Sequence, residues 1–449
     1  MRENRPVLNQ DPKLPFLEMA WSPNRMAEFF NQRVTPRLRP GAEVTTVSIE
    51  DMTYKPGREC VILYTVGFAG PSKHPHRLAV VTFAKDDKLH ERYTAALGGN
   101  PNGSAVFLPE HRCLVEFFPT DWKLPYLARA NDGEEIALLL SQFGTAALGA
   151  LSGSQLKPNV LQYRPHQRCV LRYTQGSVEA GDSKDAVGKF YPQGPKASRA
   201  WHAHNALHAQ ATAGVIIPKP LRLVNDWNLV LMECISGTPL KQVLEDGSAG
   251  PETALEVTRA IAAALASLHR LNYPSGEVRT FESLLQLFRE RAADLHLVAP
   301  ALARQVDSLL SRIEELTHRR HSDIRCCIHG ECKASQFLTD HGRVAIVDFD
   351  RICLGDPAVD VGNFMAGLHR EAVQGREHLR DLASHFLTAY QECLPQDGLE
   401  ERARLFQAAS LVRMAVRSFT RSPYAYGKSG ADSLPALLLQ EAAACLPVL

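Results

Sequence analysis

The stretch Ile328-His329-Gly330-Glu331-Cys332-Lys333-Ala334-Ser335-Gln336-Phe337-Leu338, followed by Ala345-Ile346-Val347-Asp348-Phe349-Asp350, decides the reading. It reads as a loop, a strand, a hairpin and a second strand, with a carboxylate at the start of the loop and another at the end of the last strand. Phosphoryl transfer needs such a set: a carboxylate to orient a hydroxyl, an amide oxygen and a carboxylate to hold Mg²⁺, and a cation to meet phosphate. Each piece alone is common in loops and turns. Their order and spacing, after a β-rich region, carry the signal. Asp350 lies two residues beyond Asp348, and alternate strand residues share a face, so Asp350 is a further candidate for the same metal.

Working outward, the region before this stretch contains a repeat. Tyr54-Lys-Pro-Gly-Arg-Glu-Cys60-Val-Ile-Leu-Tyr64 aligns with Tyr163-Arg-Pro-His-Gln-Arg-Cys169-Val-Leu-Arg-Tyr173. Both read as strand, tight turn, strand. Ala79–Phe83 then parallels Ala186–Phe190, and Leu114-Val115-Glu116 is aligned with Leu231-Met232-Glu233. A period of about 110 residues is too long for a solenoid and indicates a duplicated small domain. Each copy is expected to run strand, strand, strand, helix and then strands, with the helix of the second copy over Ala197–Gln210. Asp132–Leu151 is expected to form a helix connecting the copies.

After residue 250 the pattern becomes helical. Helices are expected over Pro251–Leu271, Phe281–Leu297 and Ala301–His318, and again over Gly375–Cys393, Glu400–Thr420 and Leu434–Cys445, with a strand at Val344–Asp348. A small β-rich part followed by a larger helical part is a two-lobed layout, with the cleft between lobes as the expected ligand site.

In this context the chain resembles the aminoglycoside phosphotransferase family, within the kinase-like fold shared with choline kinases. The resemblance covers about residues 155–420. The family's H-G-D-x-x-x-x-N loop is matched by His329-Gly330-Glu331…Gln336, its Ile/Val-Asp-Phe motif by Val347-Asp348-Phe349, and its G-D-P-x-x-D motif by Gly355-Asp356-Pro357…Asp360. Leu265-Ala-Ser-Leu-His-Arg-Leu271 resembles its first C-lobe helix.

The resemblance implies an α+β, bilobal protein-kinase-like fold, with an extra N-terminal α+β domain like a degenerate small lobe. The expected division is 1–150 for that domain and the connecting helix, 151–240 for the N-lobe and 241–449 for the helical C-lobe. The implied activity is ATP- or GTP-dependent transfer of phosphate to a hydroxyl of a small metabolite. Glu331 stands where the catalytic base belongs, and Lys333 where protein kinases place a phosphate-contacting lysine. Gln336 and Asp348 stand where Mg²⁺ is held. Lys189 occupies the phosphate-pairing strand position, with Arg168 in the preceding turn. Met232, Glu233, Cys234 and Ile235 match the hinge that meets adenine, and Asp360 matches an aspartate that braces the catalytic loop.

The chain departs from the pattern in four places. The base is Glu rather than Asp, and Gln stands for Asn. The 197–210 helix contains no Asp or Glu to pair with Lys189, leaving His202, His204, Asn205, His208 or Gln210 as weaker substitutes. The turn Pro165-His-Gln-Arg168 has no glycine. These departures motivate an alternative: a pseudokinase that binds nucleotide or a protein partner without efficient catalysis. A protein kinase is disfavoured, because Asp348-Phe349 is followed by Asp350 rather than Gly. The first copy has Thr82 where the second has Lys189, so it is expected to be a cap, substrate-shaping or dimerisation domain rather than a second nucleotide site.

Composition fits this reading. The chain has 449 residues, too many for one ordinary domain, with 45% hydrophobic and 22% charged residues and a net charge of +1. That balance excludes a disordered chain, and near-neutrality argues against nucleic-acid or membrane-surface partners. Ten cysteines form no C-x-x-C pair. Cys326, Cys327, His329 and Cys332 cluster, but the loop has a better use than zinc. Reduced thiols and the lack of an N-terminal apolar signal pattern point to a cytoplasmic protein.

Overall fold

The two Tyr-Xaa-Pro segments fold alike. The computed structural model describes residues 10–70, 76–84, 88–98, 104–142, 156–175, 185–211, 214–245, 250–274, 276–318, 324–340, 342–429 and 432–447. β1 (Val44–Lys55), β2 (Glu59–Phe68), β3 (His76–Ala84), β4 (Ser104–Leu108) and β5 (Cys113–Phe117) form an antiparallel sheet ordered β1-β2-β3-β5-β4. β6 (Leu156–Arg164), β7 (Arg168–Gln175), β8 (Ala186–Phe190), β9 (Pro220–Val224) and β10 (Leu229–Glu233) form a second, ordered β6-β7-β8-β10-β9.

The likeness extends to single residues. Tyr54 lies opposite Cys60, and Tyr163 opposite Cys169. The first turn is left-handed at Gly57 (φ 70°) in one sheet and at His166 (φ 60°) in the other. Glycine adopts this conformation without steric cost. His166 is held in it because its N–H donates to Asp121 and its ring bonds Glu116.

The repeat also begins earlier than the β-hairpins. Asp11-Pro-Lys-Leu-Pro-Phe-Leu-Glu-Met-Ala20 matches Asp121-Trp-Lys-Leu-Pro-Tyr-Leu-Ala-Arg-Ala130 at Asp, Lys, both Leu, Pro and Ala. Asp11 accepts hydrogen bonds from the Tyr54 hydroxyl (2.8 Å) and the Gly57 N–H (2.7 Å). Asp121 accepts them from the Tyr163 hydroxyl (2.9 Å) and the His166 N–H (2.9 Å). The second tyrosine of each pair, Tyr64 or Tyr173, donates to the carbonyl of Ala20 or Ala130. The second unit therefore starts at Asp121, before the boundary expected at 151. Of the helix expected over 132–151, the described part spans Gly133–Ser141 and is capped by the Asp132 side chain. Residues 143–155 lie outside the described residues.

One alignment is corrected. Phe83 pairs with Cys113 and Val80 with Glu116, while Phe190 pairs with Leu229 and Val187 with Met232. Glu116 therefore corresponds to Met232, not to Glu233. A slip of one residue moves a strand side chain to the other face, and Glu116 is indeed buried where Glu233 is exposed.

The C-terminal lobe is helical, as its periodicity requires. In the Pro300–His318 helix, Leu302, Ala303, Val306, Leu310, Ile313 and Leu316 are buried at three- and four-residue spacing. The expected Phe281–Leu297 helix is two, Phe281–Ala292 and Leu295–Val298. A helix not expected from sequence, Ala358–Ala372, runs through the centre of the lobe. Its Gly362 lowers intrinsic helix propensity but is required by packing. A Cβ there would lie 2.5 Å from the Ala403 carbonyl oxygen of the Leu399–Arg421 helix.

The two lobes and the extra sheet share cores. Val61, Leu63 and Val80 of the first sheet pack with Leu124, Leu127 and Ile136 of the second unit. Asp51 pairs with Arg421 of the C-lobe, and Arg58 with Asp294. The architecture is thus α+β and bilobal, with an additional small-lobe-like sheet on one side. Among the described residues, no helix is long and apolar enough to cross a membrane.

Candidate active site

The loop that carries Glu331 is held from beneath by a buried carboxylate. Asp360, at the start of the Ala358–Ala372 helix, accepts the N–H groups of His329 (2.5 Å) and Gly330 (2.9 Å). It also meets His269 Nε2 at 3.1 Å, and His269 in turn bonds the Tyr390 hydroxyl. This fixes where Glu331 leaves the loop. His329 Nε2 lies 3.0 Å from the Val347 carbonyl, tying the loop to the strand end that carries Asp348.

Asp348 and Lys189 meet across the lobes. Lys189 Nζ donates to Asp348 Oδ1 and to Asp350 Oδ1, each at 2.6 Å. The Tyr191 hydroxyl donates to the same Asp350 oxygen at 2.7 Å. Arg168 lies 3.6 Å from both Asp348 Oδ2 and Asp350 Oδ2. Burial would raise the Asp348 pKa, but Lys189 and Arg168 hold it well below the usual carboxylate range. Asp348 adopts a left-handed backbone (φ 71°), the kind of strained geometry that persists at functional sites.

The missing helix carboxylate is thereby accounted for. Among the described residues, none of the candidates on the Lys196–His208 helix, nor Gln210 beyond it, bonds Lys189. Asn205, His208 and Gln210 bond backbone carbonyls instead. His204 packs edge-on against Phe349 with ring centroids 5.1 Å apart. Burial and the nearby Lys189 push its pKa down to about 4, so it sits neutral beside the lysine. Asp350 supplies the counter-charge from the opposite lobe.

Gln336 is buried, with its side-chain oxygen accepting the Lys333 N–H at 3.0 Å and its amide nitrogen unpartnered. Its backbone carbonyl accepts Val347 N–H, so the amide lies next to the strand that ends in Asp348. An amide oxygen with a free lone pair and a carboxylate are hard donors of the kind Mg²⁺ takes, and the pair fits that ion. The Cys326–Cys332 cluster does not form a metal site. Among the described residues, the one group of three converging His, Cys, Asp or Glu ligands is Glu116, Asp121 and His166, which braces the two sheet units.

Glu331 lies within 3.5 Å of Lys333, 3.4 Å of Arg351 and 3.8 Å of Arg417. Against the upward push of burial, Lys333, Arg413, Arg351 and Arg417 pull its pKa down to about 2. These arginines went unread in the sequence. For Arg413 and Arg417 the signal was a four-residue spacing that continues to Arg421 on one face of one helix; Arg351 had none.

The expected hinge lies along the cleft, with two of its amides already engaged. Met232, Glu233, Cys234 and Ile235 all line the cleft, but Glu233 N–H already donates to the Lys219 carbonyl and Cys234 N–H to that of Asp185. The two bonds continue the pairing of β10 with β9 on one side and with β8 on the other. Neither N–H is left for a base. The cleft they line holds about 1080 Å³ and also takes in Arg168, Lys189, Glu331, Lys333, Gln336 and Asp348.

Residues 176–406 of the chain match the phosphotransferase enzyme family. The chain belongs to that family. The matched span holds β8, β9 and β10 of the second sheet and most of the C-lobe, and leaves the first sheet outside. Members carry out phosphotransfer to small molecules, and this chain is a phosphotransferase of that kind. No curated protein matches its sequence. Among solved structures, it is similar to a choline/ethanolamine kinase family protein from Mesorhizobium loti (16% identity, 70% of this chain and 92% of that one, TM-score 0.45). It is also similar to a choline kinase from Cryptosporidium parvum (11%, 70% and 95%, 0.48). A third is an aminoglycoside phosphotransferase from Streptomyces rimosus (16%, 61% and 98%, 0.41).

Proposed function

We propose that the chain transfers the terminal phosphoryl group of ATP or GTP to a hydroxyl of a small metabolite. The observation that carries this is the meeting of Lys189, Arg168 and Asp348 with Glu331 and Gln336 around one cleft. Lys189 and Arg168 meet the nucleotide phosphates, and Asp350 with Tyr191 keeps the lysine placed. Gln336 and Asp348 would hold Mg²⁺, which when bound neutralises phosphate charge. Asp350 acts here as the lysine's partner rather than as a metal ligand. Lys333, beside Glu331, faces the transferring phosphate.

The acceptor oxygen forms the new bond to phosphorus as the bond to the nucleotide's bridging oxygen breaks. The nucleoside diphosphate leaves, and the acceptor proton passes by way of Glu331 to solvent. A carboxylate whose pKa is about 2 is a weak base. Its part is chiefly to orient the hydroxyl, which suffices for a loose transition state. Glu331 is held by cations on three sides, so its longer side chain is matched to the site. Shortening it moves the carboxylate by roughly 1 Å, a misplacement that can cost ~10²-fold in rate.

The test is nucleotide turnover against a panel of hydroxylated metabolites, with and without Mg²⁺, in the wild type, Asp348→Ala and Glu331→Asp. Expected are Mg²⁺-dependent turnover, its loss in Asp348→Ala and a fall in Glu331→Asp. Turnover that persists in Asp348→Ala would remove the metal assignment. Nucleotide binding without transfer to any acceptor would favour the pseudokinase reading.

A further inference from the structure

The charges around Glu331 do not balance. Three cations lie within 3.8 Å of its carboxylate, namely Lys333, Arg351 and Arg417. Arg413 stands one helical turn before Arg417, lies over the Phe288 ring at 5.8 Å and makes a long 3.5 Å contact to Asn363 Oδ1, an oxygen already bonded to the Ser410 hydroxyl, but holds no carboxylate within salt-bridge distance among the described residues. The side chain of Arg164, at the end of β6 on the opposite wall, makes no hydrogen bond or ion pair among the described residues, although the residue is half-buried.

The other carboxylates of the cleft are already engaged. Asp348 holds Lys189 and Arg168. Asp51 holds Arg421. Glu371 holds Arg376 and Arg370, and Glu233 accepts the Lys219 N–H. Positive charge is left over at one end of the cleft, on the C-lobe side of Glu331 and facing Arg164.

The guanidinium groups also disturb each other. Burial, and then Arg168 and Arg417, push Arg164 down to about 10. Burial pushes Arg413 down to about 10 as well, with Arg417, Arg291 and Arg351 adding to the shift against the pull of Glu331. Clustered, half-buried guanidinium groups that share a single carboxylate are costly unless an anion joins them.

We propose that the acceptor is an anionic hydroxylated metabolite, whose phosphate or carboxylate group is gripped by Arg164, Arg413 and Arg417 while its hydroxyl meets Glu331. A planar guanidinium fork suits either group. The cluster excludes a cationic acceptor by direct repulsion. This inference rests on the reading of Glu331 as the acceptor-orienting group. An anion between the arginines would also screen them from Glu331 and return basicity to its carboxylate once the acceptor is in place.

The experiment is calorimetric titration of the full chain, saturated with AMP-PNP and Mg²⁺, with glycerol 3-phosphate, D-glycerate, glycerol and choline. At least one anion is expected to bind, and the stronger of the two names the acidic group. Glycerol and choline are expected to bind at least tenfold more weakly. Arg413→Gln and, separately, Arg164→Gln should each weaken the anion at least tenfold. Arg164→Gln should melt no lower than wild type in anion-free buffer, because it relieves repulsion and breaks no bond.

Choline binding as well as the anions do, or anion affinity unchanged in both variants, would overturn the proposal. So would an Arg164→Gln protein that melts well below wild type, since Arg164 would then be a structural group. If AMP-PNP fails to bind, the nucleotide reading falls. The same anion titration without nucleotide then still decides the arginine cluster.

Discussion

The two sheet units differ in what they do with one scaffold. Both have the same strand order, the same tyrosine–aspartate anchor and the same left-handed turn. They part at a few positions on the central strands. Where the second unit has Lys189, the first has Thr82, fully buried with its hydroxyl unpartnered. Where the second has Met232 lining the cleft, the first has Glu116, turned inward to meet His166. The anchors specify the sheet, and the central-strand residues specify whether its open face meets a ligand. The first unit instead packs against its sister and supplies Asp51 to the cleft wall.

The largest expected effect breaks the comparison at its functional end. Lys189→Ala should lower phosphotransfer by roughly 10²–10³-fold, the scale for losing one preorganised charge donor to the reacting group. Steady-state turnover with a saturating acceptor measures it, and the melting temperature should also fall, because Asp348 and Asp350 lose their buried partner. The matched anchors come next. Asp11→Ala and Asp121→Ala each strand a buried tyrosine hydroxyl and a turn N–H, and should each cost about 1–3 kcal/mol in urea unfolding. Only Asp121→Ala should also weaken nucleotide binding, because its turn positions Arg168.

His166 gives the comparison a pH dependence. Burial pushes its pKa down, but Asp121 and Glu116 outweigh that and raise it above its ordinary 6.5. A raised value means that the protonated ring stabilises the fold. This contribution is fully present below pH 6.5 and is lost as pH climbs through the raised value. His166→Gly, which installs the first unit's residue, should flatten urea stability against pH in that window. The smallest effect is Thr82→Val. It removes an unpartnered hydroxyl and should change stability by under about 1 kcal/mol, toward greater stability.

Much of this was legible in the sequence, for physical reasons. The loop and the Val347-Asp348-Phe349 strand end carry their chemistry in order and spacing, so Glu331, Gln336 and Asp348 could be picked out before any geometry. The hairpin repeat was visible because Tyr, Pro and Cys recur at fixed offsets. The Asp11 and Asp121 segments were equally legible but lie outside the strands where similarity was sought. The slip that matched Glu116 to Glu233 arose because short apolar strands align well in two registers, and only hydrogen bonding separates them.

What remained hidden depends on long-range placement. Nothing local indicates that Asp350 reaches across the lobes to Lys189, or that the hinge amides of Glu233 and Cys234 are already engaged. The Ala358–Ala372 helix was obscured by Gly362, which propensity counts against a helix and close packing demands. The stripe of Arg413, Arg417 and Arg421 could be counted, but which way it faces follows only from the fold.

The most direct test of the central claim, that only the second unit forms a nucleotide site with the C-lobe, is the stoichiometry of AMP-PNP binding in the presence of Mg²⁺. Calorimetry should give one site per chain in the wild type, strongly weakened by Lys189→Ala and unaffected by Thr82→Val. Two sites per chain, or one site indifferent to Lys189→Ala, would contradict it.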